Sequence, residues 1–247
     1  MSDSLVVNEI YLSLQGESTF TGLPCVFVRL TACNLRCSYC DTAYAFTDGR
    51  KMAVEDVTQQ VQQLATPFSN PKSEIRNPRL PLVELTGGEP LLQKNALPLM
   101  KKLCDDGFTV LVETSGALDI SPLDPRVRRI MDLKCPSSGE ADCNRGENLA
   151  HLKATDEIKF VIGTVEDYEW AKEQIAKHRL AAVCPLLFSW VHPLSPKQQD
   201  TSLKIVPAGQ TLISRRDLAG RIIADALPVR LQAQLHKIIW PPEQRGV

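Results

Sequence analysis

Three cysteines crowd one short stretch, Cys33-Asn-Leu-Arg-Cys37-Ser-Tyr-Cys40. A thiol pair would point to disulfide exchange, and four thiols would fill a structural zinc site. Three in one tight loop leave a metal position unfilled. An iron–sulfur cluster held by three thiolates keeps one iron free for another molecule, and open coordination separates a reactive metal centre from a structural one. The spacing alone also allows three unligated thiols, or zinc completed by a distant ligand. The chain has eight cysteines in all. Cys25 and Cys184 lie in apolar stretches and Cys104 beside Leu103, so each reads as a small core hydrophobe. Cys135 and Cys143 fall in a polar stretch and read as ordinary thiols rather than a second site.

A second chemical signal is Thr86-Gly87-Gly88-Glu89-Pro90, directly after the apolar run LVEL. A glycine pair at the carboxyl end of a parallel strand lets backbone approach a ligand, and α/β proteins build their sites at that end. Arg29 closes another apolar run. Taken alone it reads as a surface cation or a structural ion-pair partner. Glu113 and Lys134 end strand-like runs, where side chains enter a barrel mouth or pair with each other's kind. Taken alone, Gln15-Gly16-Glu17 is an ordinary turn and Thr42 a hydroxyl capping one. His192 reads equally as a solvated loop residue.

The elements that must position these groups alternate along the chain. Strand-like runs are Cys25–Leu30, Leu82–Leu85, Phe108–Glu113, Arg128–Leu133, Glu157–Ile162, Ala181–Phe188 and the alternating Val229–Leu235. Helical stripes cover Ala53–Ala65, Asn95–Asp105, Val165–His178 and Leu212–Ala226. About six β/α units in this order predict a parallel sheet with right-handed crossovers in one domain spanning 1–247. A complete eight-unit barrel usually takes about 250 residues without extra segments. The proline-rich stretch 67–81 reads as a surface insertion, as does 193–207, and 208–247 as a C-terminal extension.

Composition limits the functions. With 28 Lys+Arg against 29 Asp+Glu the net charge is -1, which argues against a broad polyanion binder. No basic run is interleaved with aromatics, so no nucleic-acid partner is expected. The N-terminus lacks a signal-peptide pattern, and the longest apolar run, Leu180–Phe188, is too short to cross a bilayer. A cytoplasmic location without a membrane partner is the expectation, and cysteines there are not a disulfide framework.

The C-x3-C-x2-C spacing after a strand, with the GGEP segment about 50 residues on, resembles the radical S-adenosylmethionine (SAM) superfamily. That resemblance implies a partial (β/α)6 barrel with helices outside and a 4Fe–4S cluster held by Cys33, Cys37 and Cys40. Its open iron chelates the amino and carboxylate groups of SAM. The reduced cluster cleaves SAM to a 5′-deoxyadenosyl radical. A closer resemblance runs through EIYLSLQGESTFTGLPCVFVRLTACNLRCSYCDT (Glu9 to Thr42), Glu113-Thr114-Ser115-Gly116, Asp132–Gly139 and the ending QLHKIIWPPEQRGV. These patches are similar to the 7-carboxy-7-deazaguanine synthase family and span almost the whole chain.

That family implies ring contraction of 6-carboxy-5,6,7,8-tetrahydropterin to 7-carboxy-7-deazaguanine, with loss of ammonia, on the way to queuosine and other deazapurines. It implies Thr42 as a Mg²⁺ ligand, Arg29 on the substrate carboxylate, and pterin contacts from Leu14, Gln15, Gly16, Glu17, Thr86 and Gln234. SAM contacts are implied for Ser38, Tyr39, Asp41, Gly88, Ser115, Lys134, Pro136, Ser137 and Ser138. A homodimer and an electron donor such as flavodoxin are further expectations. Two competing readings are a glycyl-radical enzyme activase, which would act on a partner protein, and a non-catalytic iron–sulfur or zinc module.

Overall fold

The structure, a computed structural model, describes residues 3–69 and 81–247. Most of the expected insertion at 67–81 therefore lies outside the described residues. The described strands form one sheet: β1 (Ser4–Leu14), β2 (Pro24–Leu30), β3 (Arg50–Ala53), β4 (Leu82–Gly87), β5 (Val110–Thr114), β6 (Arg128–Asp132), β7 (Glu157–Ile162), β8 (Leu186–Trp190) and β9 (Arg230–Gln232). Their order is β3-β1-β2-β4-β5-β6-β7-β8-β9. From β2 to β9 every pairing is parallel, while β1 runs antiparallel to both β2 and β3. The edges β3 and β9 do not meet, so the sheet is an open partial barrel.

The outer face is covered by α1 (Val54–Ala65), α2 (Ala96–Asp105), α3 (Val165–His178) and α4 (Arg215–Ala224), with a short α5 (His236–Ile239) after β9. Each long helix buries one stripe: Val57 and Val61, then Leu99, Met100 and Leu103, then Tyr168, Ala171 and Ile175. These pack against the outward residues of the strands in one large core. A second, smaller apolar layer fills the bottom of the lumen: Cys25, Phe27, Leu82, Leu111 and Ile130, with Tyr11 and Phe20 against them. Strand alternation then places Arg29, Glu84, Thr86, Glu113, Asp132 and Lys159 around the cavity above that floor.

Two strands are shorter than the sequence pattern suggests, and two others had no clean signature in it. The strand expected over 181–188 begins only at Leu186, because Arg179 ends α3 in a left-handed conformation (φ 52) and Leu180–Ala182 form a 3-10 turn. The apolar residues there, Leu180 and Cys184, bury as turn residues instead. The strand expected over 229–235 stops at Gln232, where the chain turns toward α5. The long β1 and the short β3 had no clean signature. A bulge between Val7 and Glu9 breaks the alternation of β1 and shifts which residues face inward.

The loop after β1 completes the lumen. Thr19 N donates to both oxygens of Glu157 on β7 at 3.1 Å, and Ser18 N donates to Gln232 Oε1 on β9 at 3.0 Å. Gln232 Nε2 returns a bond to Ser18 O at 2.6 Å. The loop thus crosses from β1 to the far side of the sheet, beneath the mouth of the cavity.

Candidate active site

A cavity of about 620 Å³ opens at the carboxyl ends of the parallel strands, within the size range of small-molecule sites. Cys33, Cys37 and Cys40 enter it from the loop after β2, and none of the eight cysteines is disulfide-bonded. The loop is fixed from below. Arg36 N donates to Glu140 Oε1 (2.7 Å), Ser38 N to Ser138 O (3.0 Å) and Ser38 Oγ to Ser137 O (2.6 Å). Leu35 N points at Cys33 Sγ at 3.4 Å, a donor suited to a thiolate. Burial pushes the thiols of Cys33 and Cys37 up and that of Cys40 to about 12. Among the described residues no three His, Cys, Asp or Glu side chains converge on a point that would hold a single ion. Three thiols on one loop at one cavity suit a cluster, in which each would hold a different iron.

The GGEP segment packs directly on this loop. Glu89 N donates to Ala32 O at 2.9 Å, and Gly88 N to Leu30 O at 3.2 Å. A Cβ on Gly88 would lie 2.0 Å from Ala32 O, and one on Gly87, whose φ is +131°, 2.1 Å from Leu30 O. Both positions therefore require glycine. Glu89, fully buried, accepts from Ser115 N (2.7 Å), Ser115 Oγ (2.6 Å) and Thr114 Oγ1 (2.9 Å). It ties the end of β4 to the end of β5, a role the sequence does not reveal.

Of the residues expected at SAM, Tyr39, Asp41, Gly88, Ser115 and Lys134 line the cavity. The Tyr39 hydroxyl is buried with no hydrogen-bond partner among the described residues. Ser38, Pro136, Ser137 and Ser138 do not line it; the serines' backbone and hydroxyl groups brace the cluster loop from behind. Asp167, in the capping box of α3, holds Ser137 N at 2.7 Å.

All the residues expected at substrate line the cavity: Leu14, Gln15, Gly16, Glu17, Arg29, Thr86 and Gln234. Arg29 Nε pairs with Glu9 at 2.7 Å and Nη2 donates to the Tyr11 hydroxyl at 2.8 Å. Gln15 is fully occupied by the fold. Its N donates to Leu23 O and its O accepts from Gly22 N, both at 2.8 Å; its Oε1 accepts from Glu17 N at 3.0 Å, and its Nε2 donates to Glu84. Gly16 lets α5 close in, since a Cβ there would lie 2.4 Å from His236 Nδ1. Thr86 Oγ1 donates to Glu113 at 3.1 Å, and Gln234 Nε2 to Glu17 Oε1 at 3.0 Å. Thr42 Oγ1 donates to Asp41 Oδ1 at 2.8 Å, and Asp41 pairs with Lys237.

A buried ionic layer lies between these groups: it joins Glu17, Glu113 and Lys134, which the sequence singled out, to Lys159 and Asp132, to which it assigned no role. Lys159, 5% exposed, contacts Glu17 (3.2 Å), Asp132 (3.4 Å) and Glu113; Lys134 pairs with Asp132 at 2.6 Å. Burial alone would raise the Glu17 carboxyl, but Lys159 and then His236 outweigh it and pull it down to about 2. Burial, reinforced by Glu113, lifts Glu84 well above the usual carboxylate range. The available signal was a charged residue at the inward position of an otherwise apolar strand, as in Glu157-Ile158-Lys159-Phe160-Val161-Ile162.

Comparison with known proteins places this geometry. The model of the radical SAM superfamily matches residues 28–137, the stretch holding the cluster loop and the GGEP segment. A 7-carboxy-7-deazaguanine synthase of Koribacter versatilis is 45% identical over 98% of this chain and 99% of its own length. One from Chlorobaculum tepidum is 40% identical over 98% and 97%. Among solved structures, QueE from Escherichia coli superposes with a TM-score of 0.64 at 21% identity, covering 93% of this chain and 94% of that one. Streptococcus suis SuiB bound to S-adenosylmethionine gives 0.57 at 13% identity, covering 85% and 50%. The two structures speak for the fold.

Proposed function

The chain belongs to the 7-carboxy-7-deazaguanine synthase family of radical SAM enzymes, and we propose that the cavity at the carboxyl ends of its strands is where 6-carboxy-5,6,7,8-tetrahydropterin is contracted to 7-carboxy-7-deazaguanine with loss of ammonia. The observation that carries this reading is the convergence, in that cavity, of the three-cysteine loop, the glycine pair of β4 and a buried charged layer over an aromatic floor. The test is turnover of the pterin by the reduced, reconstituted protein with SAM and Mg²⁺. SAM cleavage without product would instead favour an activase acting on a partner protein.

The thiolates of Cys33, Cys37 and Cys40 hold the 4Fe–4S cluster, and the Leu35 N–H supports Cys33. When bound, cluster and SAM together supply the hydrogen-abstracting radical chemistry. Gly88 lets the end of β4 approach SAM without a side chain. Ser115, fixed by Glu89, and the Lys134 ammonium, fixed by Asp132, present polar groups on the opposite wall. The backbone of Ser38, Tyr39 and Asp41 flanks the same place. Pro136, Ser137 and Ser138 hold that wall rather than touching it.

Arg29 receives the substrate carboxylate. Glu9 and Tyr11 take its Nε and Nη2 and so fix the plane of the guanidinium. Leu14, Gly16, Glu17, Thr86 and Gln234 enclose the ring, and Gln15 shapes the loop that carries them. Lys159 stays charged against Glu17, Glu113 and Asp132, so the wall is a fixed ionic lattice that needs no rearrangement when substrate enters.

Mg²⁺ fits at Thr42. It prefers hard oxygen, keeps several waters and takes few protein ligands. Thr42 Oγ1 is a hard oxygen at the same cavity mouth as Arg29, with Asp41 Oδ1 beside it and the Lys237 ammonium on the other Asp41 oxygen. Thr42 would hold the cation, which would supply positive charge to the carboxylate end of the substrate. An electron donor such as flavodoxin, a homodimeric assembly and a cytoplasmic location complete the proposal. Among the described residues no helix is long and apolar enough to cross a membrane.

A further inference from the structure

Glu84 is a buried carboxyl of the lumen that holds neither the cluster nor SAM. It sits on β4 two residues before Thr86, in register between Phe27 of β2 and Leu111 of β5. It lines the cavity, yet it is only 2% exposed. Its Oε2 accepts from Gln15 Nε2, a neutral amide donor from the crossing loop. No cation pairs with it there, because Lys159 is committed to Glu17, Glu113 and Asp132. A buried carboxyl with a single donor costs stability, and such groups cluster where a ligand supplies what the fold withholds.

The surrounding floor indicates what that ligand presents. Phe27 lines the cavity and stacks on Tyr11, with ring centroids 5.2 Å apart and planes 17° apart, next to Ile130. This is a platform for a flat heterocycle. The carbon that reacts bears the carboxyl group, so that end must face Arg29, Thr42 and the cluster loop. The opposite end of the molecule then points down to the floor. That end is a 2-amino-4-oxopyrimidine, whose N2–H and N3–H bonds run side by side. Two parallel donors are the complement of one carboxylate, as in a guanidinium–carboxylate fork.

We propose that Glu84 is a substrate-recognition residue, its carboxylate accepting the paired N2–H and N3–H donors of the pyrimidine edge at the cavity floor. This rests on the pterin reading of the site and deepens it. The carboxylate has room for both donors and for Gln15, having about four lone-pair sites. The groups that face Glu84 are Glu113 of β5, Lys159 of β7, Glu17 and Gln15 of the crossing loop, Tyr11 of β1 and Cys25 of β2. Burial, reinforced by Glu113, raises the Glu84 carboxyl above the usual carboxylate range, and two donors from the ring edge would favour its charged form. The site thereby selects an aminated pyrimidine over one lacking the amino group, since the latter leaves an acceptor unmatched.

The test compares steady-state turnover of 6-carboxytetrahydropterin with that of its 2-deamino analogue, in the reconstituted wild type and in Glu84→Gln. The expected wild type has a KM about 10–100-fold higher for the analogue. In Glu84→Gln, whose amide presents a donor where the ring also has one, KM for the natural substrate rises by a similar factor. The preference over the analogue collapses, while iron content and SAM binding stay near wild type. Glu84→Asp retracts the oxygens but keeps both, and retains the preference at a raised KM; it carries the comparison if the glutamine variant does not fold. An unchanged KM, or a full preference retained by Glu84→Gln, overturns the assignment alone and leaves Glu84 as a prop for Gln15. Failure of the wild type to turn over the pterin while cleaving SAM overturns the reading of the site, and the assignment with it.

Discussion

Cys33, Cys37 and Cys40 differ from the other cysteines in what they face. Cys25, Cys135 and Cys184 are buried among strand and turn residues, while the three line the cavity. Cys37→Ala should leave the fold intact and abolish cluster assembly, read as loss of iron and of the cluster's visible absorbance. Thr42→Ala should bind SAM normally and lose the dependence of rate on Mg²⁺; unchanged dependence removes Thr42 from the metal. Glu84 gives a pH prediction with a definite sign. Its folded carboxyl titrates well above its ordinary value of 4.5. The folded state therefore holds a proton that the unfolded state loses first, and stability contributed below that value is lost as pH rises toward the folded titration. Glu84→Gln should thus melt above wild type at pH 8, with the difference shrinking toward pH 5. Greater stability with poorer substrate affinity is the signature of a group retained for function. At this scale the cysteines and glycines were legible because their spacing is local. Lys159 and Glu84 were not, since their significance comes from neighbours on other strands that only folding assembles.

At the scale of elements, the loop after β2 and the end of β4 form one unit. Ala32 O receives Glu89 N, and Gly88 leaves no space for even a methyl group. Gly88→Ala should push the two apart at a cost of about 1–3 kcal/mol. The expected readout is weakened SAM binding and lower cluster occupancy, with far-ultraviolet circular dichroism unchanged. Normal SAM affinity in that variant would mean the glycine pair serves only packing. The parallel strands and the long helices were readable from apolar periodicity, as in α1, where Val57 and Val61 face the core. β1 was not, because its bulge at Val7/Glu9 scrambles the alternation and because it pairs antiparallel at the margin of the sheet. Its carboxyl end nevertheless delivers Leu14 to Glu17 to the cavity.

The molecule as a whole is an open sheet whose lumen is finished by two segments from opposite ends of the chain. The loop after β1 crosses below, held by Glu157 and Gln232. Residues 242–247 line the mouth from above, where Arg245 lies 3.8 Å over the Tyr44 ring. Removing 242–247 should open the mouth and raise KM for the pterin, with iron content and SAM binding preserved. This closure was invisible in the sequence, because no pattern tells which strand a distant loop will reach. The central claim joins these scales: one cavity holds the cluster, SAM and a carboxylated pterin together. It is tested most directly by incubating the reduced, reconstituted protein with SAM, Mg²⁺ and 6-carboxytetrahydropterin and measuring products. The account predicts 7-carboxy-7-deazaguanine and ammonia in equal amounts, both lost in Cys37→Ala. SAM cleavage at full rate with neither product formed would contradict it.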